Sequence, residues 1–443
     1  MTALPRQLTR LTNATLPDGR LVDVTLDGHR VARVETAGAS AQGAGSETRT
    51  PDSPASTLDL TGHLLLTAPA EPHAHLDKAL SYEAIRPPMG DLRAAIASWR
   101  EYAATMTVDD IADRAREQAL RMLGQGTTAI RTHLDILLGD QPLRGAEALV
   151  RVRDELRDLI DIELVALAGP DVPTRDIEAA LDLGVDLVGG SPHLAQDPTA
   201  DLTRLLALAR ARRAGVDLHT DESLHGPVTL DEFARIVAGW READLADGLL
   251  PVNVSAGHCV RLGTAPAAAR DETIAATVAA GIGVIANPIT NLYLQGWGDD
   301  VSMPRGLAPV RQLLDAGARV AAGADNVRDP FNPLGRSDAL ETAMLLVTAG
   351  HLTIDEAYGL VSTSAREVLA LPAAGVVVGA QAELLAVRGT SLADVVANAP
   401  ADRFVIHRGA LVAESSTSRS VASPAGPGAA APAHPLLADP KDA

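Results

Sequence analysis

The chain has 443 residues, with 57 acidic side chains against 38 basic ones and a formal net charge of −19. Such a surface repels phosphate backbones, which argues against nucleic-acid binding as the main role. No run approaches the roughly 20 uninterrupted apolar residues of a membrane span, and the N-terminal MTALPRQLTRLTNATLPDGR lacks the apolar core of a signal peptide, so the expectation is a cytoplasmic protein.

In chain order, residues 6–60 read as short strands (RLVDVTL, DGHRVARVE, TLDL), broken by a polar, Gly/Ser-rich loop at 38–56. From about residue 64 to 370, short β-rich apolar runs alternate with longer stretches of helical periodicity, the pattern of parallel βα units. There are eight such runs: LLLTAPAEPHAH, TTAIRTHLD, IELVALAG, VDLVGGSPH, VDLHTDE, VNVSAGH, GVIANPITN and RVAAGADN. Several follow a glycine placed to end the preceding helix, as in LGQGTTAI and LDAGARVA. Thr107 with Asp110, Thr229 with Glu232 and Thr353 with Glu356 mark helix starts by their capping-box spacing. After Thr229, the residues Leu230, Phe233, Ile236, Val237 and Trp240 form one apolar helical face, read as core packing. Strand-like segments return at 374–414 (GVVVG, AELLAVRG, DRFVIHRGALVA), and the Ala/Pro/Ser-rich end has no periodicity.

Eight units in roughly 300 residues match a (β/α)8 TIM barrel. A doubly wound sheet is weakened by the lack of a G-x-G-x-x-G after the first strand. The expected organisation is a barrel at 67–370, a small composite β-sandwich from 1–66 and 371–413, and a disordered tail at 414–443.

In such a barrel the chemistry sits at the C-terminal ends of the strands. The first run ends in EPHAHLDK, where His73 and His75, two apart in an extended chain, face the same side. The fifth ends in HTDE, with His219 and Glu222; the sixth in GH, with His258; the eighth in GADN, with Asp325. Three histidines and a carboxylate suit one divalent ion with room for a water, which such an ion makes available as hydroxide near neutral pH.

The single cysteine, Cys259, excludes an intramolecular disulfide or a multi-cysteine zinc site, and reads as a packed thiol. Lys78 and Lys441 are the only lysines, which leaves little scope for a carboxylated mid-barrel lysine bridging two metals. His133 and His193 also fall at strand ends and read as outer hydrogen-bonding or loop-packing residues. His29, His63, His225, His351, His407 and His434 read as solvated.

The runs EPHAHLDK, RTHLD, HTDE, GH, ANPITNLYLQG and GADNVRDPFNPLG, in that order, resemble the cytosine deaminase branch of the amidohydrolase superfamily. The likeness extends from about residue 62 to 371. It implies that His73, His75, His219 and Asp325 hold one Zn2+ or Fe2+ ion, and that Asp325 takes a proton from the attacking water. It further implies that Glu222 carries that proton to the ring nitrogen and the leaving group, while His258 polarises the centre under attack. Gln295 and Phe331 are candidate substrate contacts.

Two departures bear on the substrate. Gly169 stands where cytosine deaminases have a substrate-reading glutamine, and Asn326 stands where they have a second aspartate. Glycine offers neither donor nor acceptor to a pyrimidine edge, which argues for another ring. The form DNVRD, with Asn326, Arg328 and Asp329, is more like relatives that hydrolyse aminated triazines, although those lack the glutamate of HTDE. Lys78 is a candidate for a substrate oxygen, or else a salt bridge at the barrel mouth. The expected function is deamination of a small nitrogen heterocycle by a homo-oligomeric enzyme. The competing readings are opening of a cyclic amide or imide ring, and a barrel that binds without catalysing.

Overall fold

A computed structural model describes residues 4–38, 56–249 and 252–422. Most of the loop expected at 38–56, and the expected disorder from residue 423 onward, lie outside the described residues. Among the described residues no helix is long and apolar enough to cross a membrane.

Each of the eight apolar runs holds one barrel strand. These are β1 (Ala70–Ala74), β2 (Ala129–Asp135), β3 (Asp161–Ala168), β4 (Leu187–Gly190), β5 (Gly215–Thr220), β6 (Val254–His258), β7 (Gly283–Ala286) and β8 (Arg319–Ala322). Neighbours pair in parallel and in chain order. The first and last strands meet through a parallel bridge between Ala74 and Asp325. With helices between successive strands, this is a (β/α)8 barrel.

Closure uses a side chain where ladder bonds run out. Asp325 N donates to His73 O at 2.9 Å. Beside it, Glu71 accepts from Ala324 N at 2.9 Å and from His73 N at 3.0 Å. Gly323 makes room for that carboxyl, since a Cβ there would lie 2.3 Å from Glu71 Oε1. Burial pushes Glu71 up to about 8, against the pull of its two amide donors.

Alternation along the strands stacks the interior in layers. Arg131 on β2 donates to Asp217 on β5 at 2.9 Å and to Ser255 on β6 at 2.8 Å, forming a buried polar layer. Two residues further along those strands come His133, His219 and Gly257, which begin the site.

The small domain takes strands from both ends of the chain. The segments Arg6–Gln7, Arg10–Thr15, Leu21–Asp27, Arg30–Thr36, Thr57–Asp59 and His63–Thr67 join Leu384–Arg388, Arg403–His407 and Ala410–Ser415 in one nine-stranded sheet. His63–Thr67 pairs antiparallel with Leu384–Arg388 and so ties the two ends together. The sheet curls until Ala382 N reaches His29 O and Gln7 Nε2 reaches Gly28 O, around a core that includes Leu11, Val24, Leu65, Leu384 and Leu411.

Several local expectations need correction. LLLTAPAEPHAH holds two strands, one for the small sheet and one for the barrel, with Pro69 between them. GVVVG is not a strand; Val377 and Val378 lie exposed in turns. The last strand runs to Ser415, beyond the point at which the tail was expected to begin. Thr353 makes its capping box and Thr107 caps its helix, but Thr229 does not cap with its own side chain. Instead Asp221 accepts from Thr229 N at 2.8 Å and Leu230 N at 3.1 Å, a carboxylate borrowed from the end of β5. His63 and His407 are buried: His63 packs 5.1 Å from the Phe404 ring, and His407 Nδ1 lies 2.9 Å from Glu383.

Candidate metal centre and cavity

At the C-terminal rim the strands bend sharply. Asp221, His258, Cys259 and Asp325 all have left-handed φ angles, between 50° and 70°. Such strain in non-glycine residues persists where the surroundings over-determine it, commonly at functional sites. The turns swing Glu222, His258 and Asp325 toward the axis, where His73, His75 and His219 already point. Gly257 permits this packing, because a Cβ there would meet His73 Cε1 at 2.7 Å. All six side chains are buried. Cys259 is fully buried as well, as expected of a packed thiol.

Four of them converge through their donor atoms. His75 Nε2 lies 3.1 Å from His219 Nε2 and 3.2 Å from Asp325 Oδ1, and His73 Nε2 lies 3.7 Å from the same oxygen. Two ligands each about 2.1 Å from one tetrahedral ion stand about 3.4 Å apart, and the observed spacings bracket that value. Both ring nitrogens of His73, Nδ1 of His219 and both oxygens of Asp325 are buried without a hydrogen-bond partner among the described residues. Buried polar atoms are rarely left so. Burial, joined by neighbouring positive charge, holds His73, His75 and His219 well below the usual imidazole range. Burial, then the nearby carboxyls of Glu222, Asp329 and Glu71, drives Asp325 well above the carboxylate range. Neutral imidazoles with free lone pairs around an unpaired carboxyl fit a divalent cation.

Glu222 and His258 flank this set, with Glu222 Oε1 3.7 Å from His258 Nδ1. Burial alone pushes Glu222 up to about 8. Asn291 Nδ2 lies 3.0 Å from His258 Nδ1. With the amide donating, the His258 ring proton sits on Nε2, which has no partner among the described residues. His193 Nδ1 donates to His219 O at 3.1 Å, which leaves its Nε2 as an acceptor 4.0 Å from Glu222 Oε2. His133 packs between these rings, 4.2 Å from His73 between centroids, and its Nε2 lies 3.7 Å from Asp217 Oδ1.

A cavity of about 830 Å3 opens above the cluster, near the upper end of the ~300–1,000 Å3 typical of ligand pockets. His75, His219, Glu222 and His258 lie on its floor, and Lys78, Gly169, Asn326 and Phe331 line it too. Lys78 is held by Asp135 at 2.7 Å and Asp77 at 3.2 Å, so the salt-bridge reading describes its contacts. Gln295 is not on the wall. It donates to Glu222 O at 2.8 Å and accepts from Leu224 N at 3.2 Å, bracing the loop that carries Glu222. The sequence reading passed over Asp135 and Trp99, which meet at 2.7 Å in the wall. The alternation Arg131, His133, Asp135 along β2 carried a signal for the first of them.

A sequence profile of the amidohydrolase family matches residues 145–413. The chain belongs to that family. Among characterised relatives, this amidohydrolase is 30% identical over 366 residues to a pterin deaminase of Rhizobium rhizogenes, covering 77% of this chain and 79% of that one. It is 26% identical to an N-isopropylammelide isopropyl amidohydrolase of Pseudomonas sp., over 75% and 82% of the two chains. Its fold superposes on the 5-methylcytosine deaminase of Klebsiella pneumoniae liganded with 5-fluorocytosine, with a TM-score of 0.80 and 25% identity, over 93% of this chain and 99% of that one. These relatives hydrolyse carbon–nitrogen bonds of heterocycles, and this amidohydrolase is likewise a carbon–nitrogen hydrolase.

Proposed function

We propose that this amidohydrolase deaminates an amino-substituted pyrimidinone ring of pterin size, using one zinc or iron(II) ion held by His73, His75, His219 and Asp325. Water adds to the ring carbon that bears the amine, the C–N bond breaks, a carbonyl replaces the amine and ammonia leaves. The ion's contribution, when bound, is to make water nucleophilic near neutral pH.

The observation that carries this reading is Glu222, fully buried beside the convergent donors and 3.7 Å from His258. Pushed up to about 8, it keeps a proton at neutral pH. A ring nitrogen needs such a proton as its neighbouring carbon is attacked, and the departing amine needs one next. Asp325, whose carboxylate form a bound cation would favour over the neutral form that burial alone imposes, would accept the proton of the incoming water. His258 offers an Nε2–H, with no acceptor among the described residues, to negative charge developing on the substrate. The absence of a side chain at Gly169, the cavity of about 830 Å3 and the likeness to a pterin deaminase together favour a ring larger than cytosine.

The test is a screen of aminopyrimidines, aminotriazines and pterins against zinc-loaded and iron-loaded protein, with ammonia detection and product identification. The expected result is ammonia and an oxo-for-amino product from a fused ring. Ring-opened carboxylates without ammonia would replace deamination with amide hydrolysis. Inactivity of both loaded forms on every ring would overturn the proposal.

A further inference from the structure

The wall above the metal cluster is richer in cations than the chain as a whole. Lys78, Arg93, Arg100 and Arg144 line the cavity, against the carboxyls of Asp135, Asp171 and Glu222. Four cations to three carboxyls reverses the ratio of a chain with 57 acidic and 38 basic residues. A charged cleft draws ligands by its own field rather than by the net charge.

The four cations are not equivalent. Lys78 is committed to Asp77 and Asp135, and Arg144 donates to Ala103 O at 3.0 Å, which fixes the end of the wall helix. Arg93 and Arg100 lie two turns apart on that helix, Leu92–Ala103, flanking the apolar stripe of Leu92, Ile96 and Trp99 that also lines the cavity. The helix is anchored at its start by Asp91, which accepts from Arg93 N and Ala94 N at 3.1 Å. Arg100 Nη2 stands 4.0 Å from Asp171 Oδ2, beyond hydrogen-bond reach. It also lies 3.9 Å from the point where a Cβ on Gly169 would be. The guanidinium thus stands beside the backbone at Gly169 without occupying the space of a side chain there, and presents a planar, doubly donating cation to that part of the wall.

We infer that Arg100, assisted by Arg93, binds a carboxylate carried by the substrate ring on the edge away from the C–N bond that breaks. This deepens the deaminase reading and rests on it for the position of the ring. Gly169 offers no side chain of its own to a substrate, and the cation beside it comes from another element. An anion placed there meets a guanidinium, which grips a carboxylate by two parallel bonds.

The experiment measures equilibrium binding of pterin and of a pterin carboxylate to metal-loaded protein by the fluorescence of the ring, alongside ammonia release. The wild-type protein is expected to bind the carboxylated ring about tenfold or more tightly, and raising the salt should erode that preference. Arg100→Gln should bring the ratio of the two Kd values to near one, and Arg100→Lys should retain part of it, which a general packing defect would not do. Arg93→Gln should shrink the ratio less. An unchanged ratio in Arg100→Gln, or no carboxylate preference in the wild type, overturns the assignment even if deamination is found. A carboxylate preference lost in Arg100→Gln, in a protein that deaminates neither ring, sinks the deaminase reading and leaves Arg100 assigned.

Discussion

Two clusters of buried polar side chains lie at opposite ends of the barrel, and they obey opposite rules. At the N-terminal end, where the barrel meets the small sheet, the polar groups are matched but for His407 Nε2. Glu383 Oε2 lies 2.9 Å from His407 Nδ1, and its Oε1 accepts from Arg408 N at 3.0 Å. Arg366 Nε donates to Ala68 O at 3.1 Å, and its guanidinium also donates to Thr128 Oγ1. At the C-terminal rim, His73, His219 and Asp325 keep ring nitrogens and oxygens with no partner among the described residues. Burial alone does not separate the two, since His73 and His407 are both buried. What separates them is degree: in the seam one atom, His407 Nε2, is left without a partner among the described residues, while at the rim both ring nitrogens of His73, one of His219 and both oxygens of Asp325 are.

The largest effect should follow from breaking the rim. Asp325→Asn keeps shape and removes the only carboxylate among the four convergent donors. Metal content should fall from near one ion per chain to a small fraction, and turnover should become undetectable; elemental analysis and ammonia release read both. The same variant, compared metal-free with metal-free wild type, should unfold at an equal or higher temperature, because an unpaired buried carboxyl costs stability. A marked loss of metal-free stability would mean that Asp325 is structural, like Glu383, and would erase the contrast.

Next in size is Glu222→Gln, which should retain the metal and lose about 10²–10⁴ of turnover, the usual worth of a positioned proton carrier. Loss of metal together with turnover would move Glu222 into the ligand set.

These two sites were legible in the sequence for a physical reason. The apolar runs that make barrel strands must end at the rim, and polar residues at those ends stand out against them, as in HTDE and GADN. The seam was not legible. His407 looked solvated because its partner, Glu383, is brought to it by strand pairing across the small sheet, and no local pattern announces that pairing. LLLTAPAEPHAH hid the step from one sheet to the other because both strands are apolar, and only Pro69 marks the break. GVVVG misled in the other direction: three β-branched residues suggested a strand, but Gly375 and Gly379, with φ of 118° and 88°, turn the chain instead. Arg100 was invisible for a third reason. A lone arginine on a helix is ordinary, and its meaning depends on Gly169 lying beside it.

The seam predicts the converse of the rim. Arg366→Ala leaves Glu383 with a weakened set of positive partners and frees the carbonyl of Ala68. Removing one member of a buried ion pair costs about 3–5 kcal/mol, so the denaturation midpoint should drop sharply while the metal content and KM of the folded protein stay as they were. An Arg366→Ala protein as stable as wild type would show that the seam is no more complete than the rim.

The smallest effect is a dependence on pH confined to the seam. Burial works to raise Glu383, but the hydrogen bond from His407 and the charges of His407 and Arg366 outweigh it, leaving the carboxyl below its ordinary value. A carboxyl depressed on folding binds its proton more readily in the unfolded chain. Its contribution is therefore full above the ordinary carboxylate value, about 4.3, and is lost as the pH falls through the lower folded value. In Glu383→Gln that contribution is absent at every pH. The gap in unfolding temperature between wild type and variant should be widest near neutral pH and should close on acidification below about pH 4. A gap that stayed constant down the acid limb would mean that Glu383 is held by shape and hydrogen bonding alone, so that the matching of the seam is geometric and not a matter of charge.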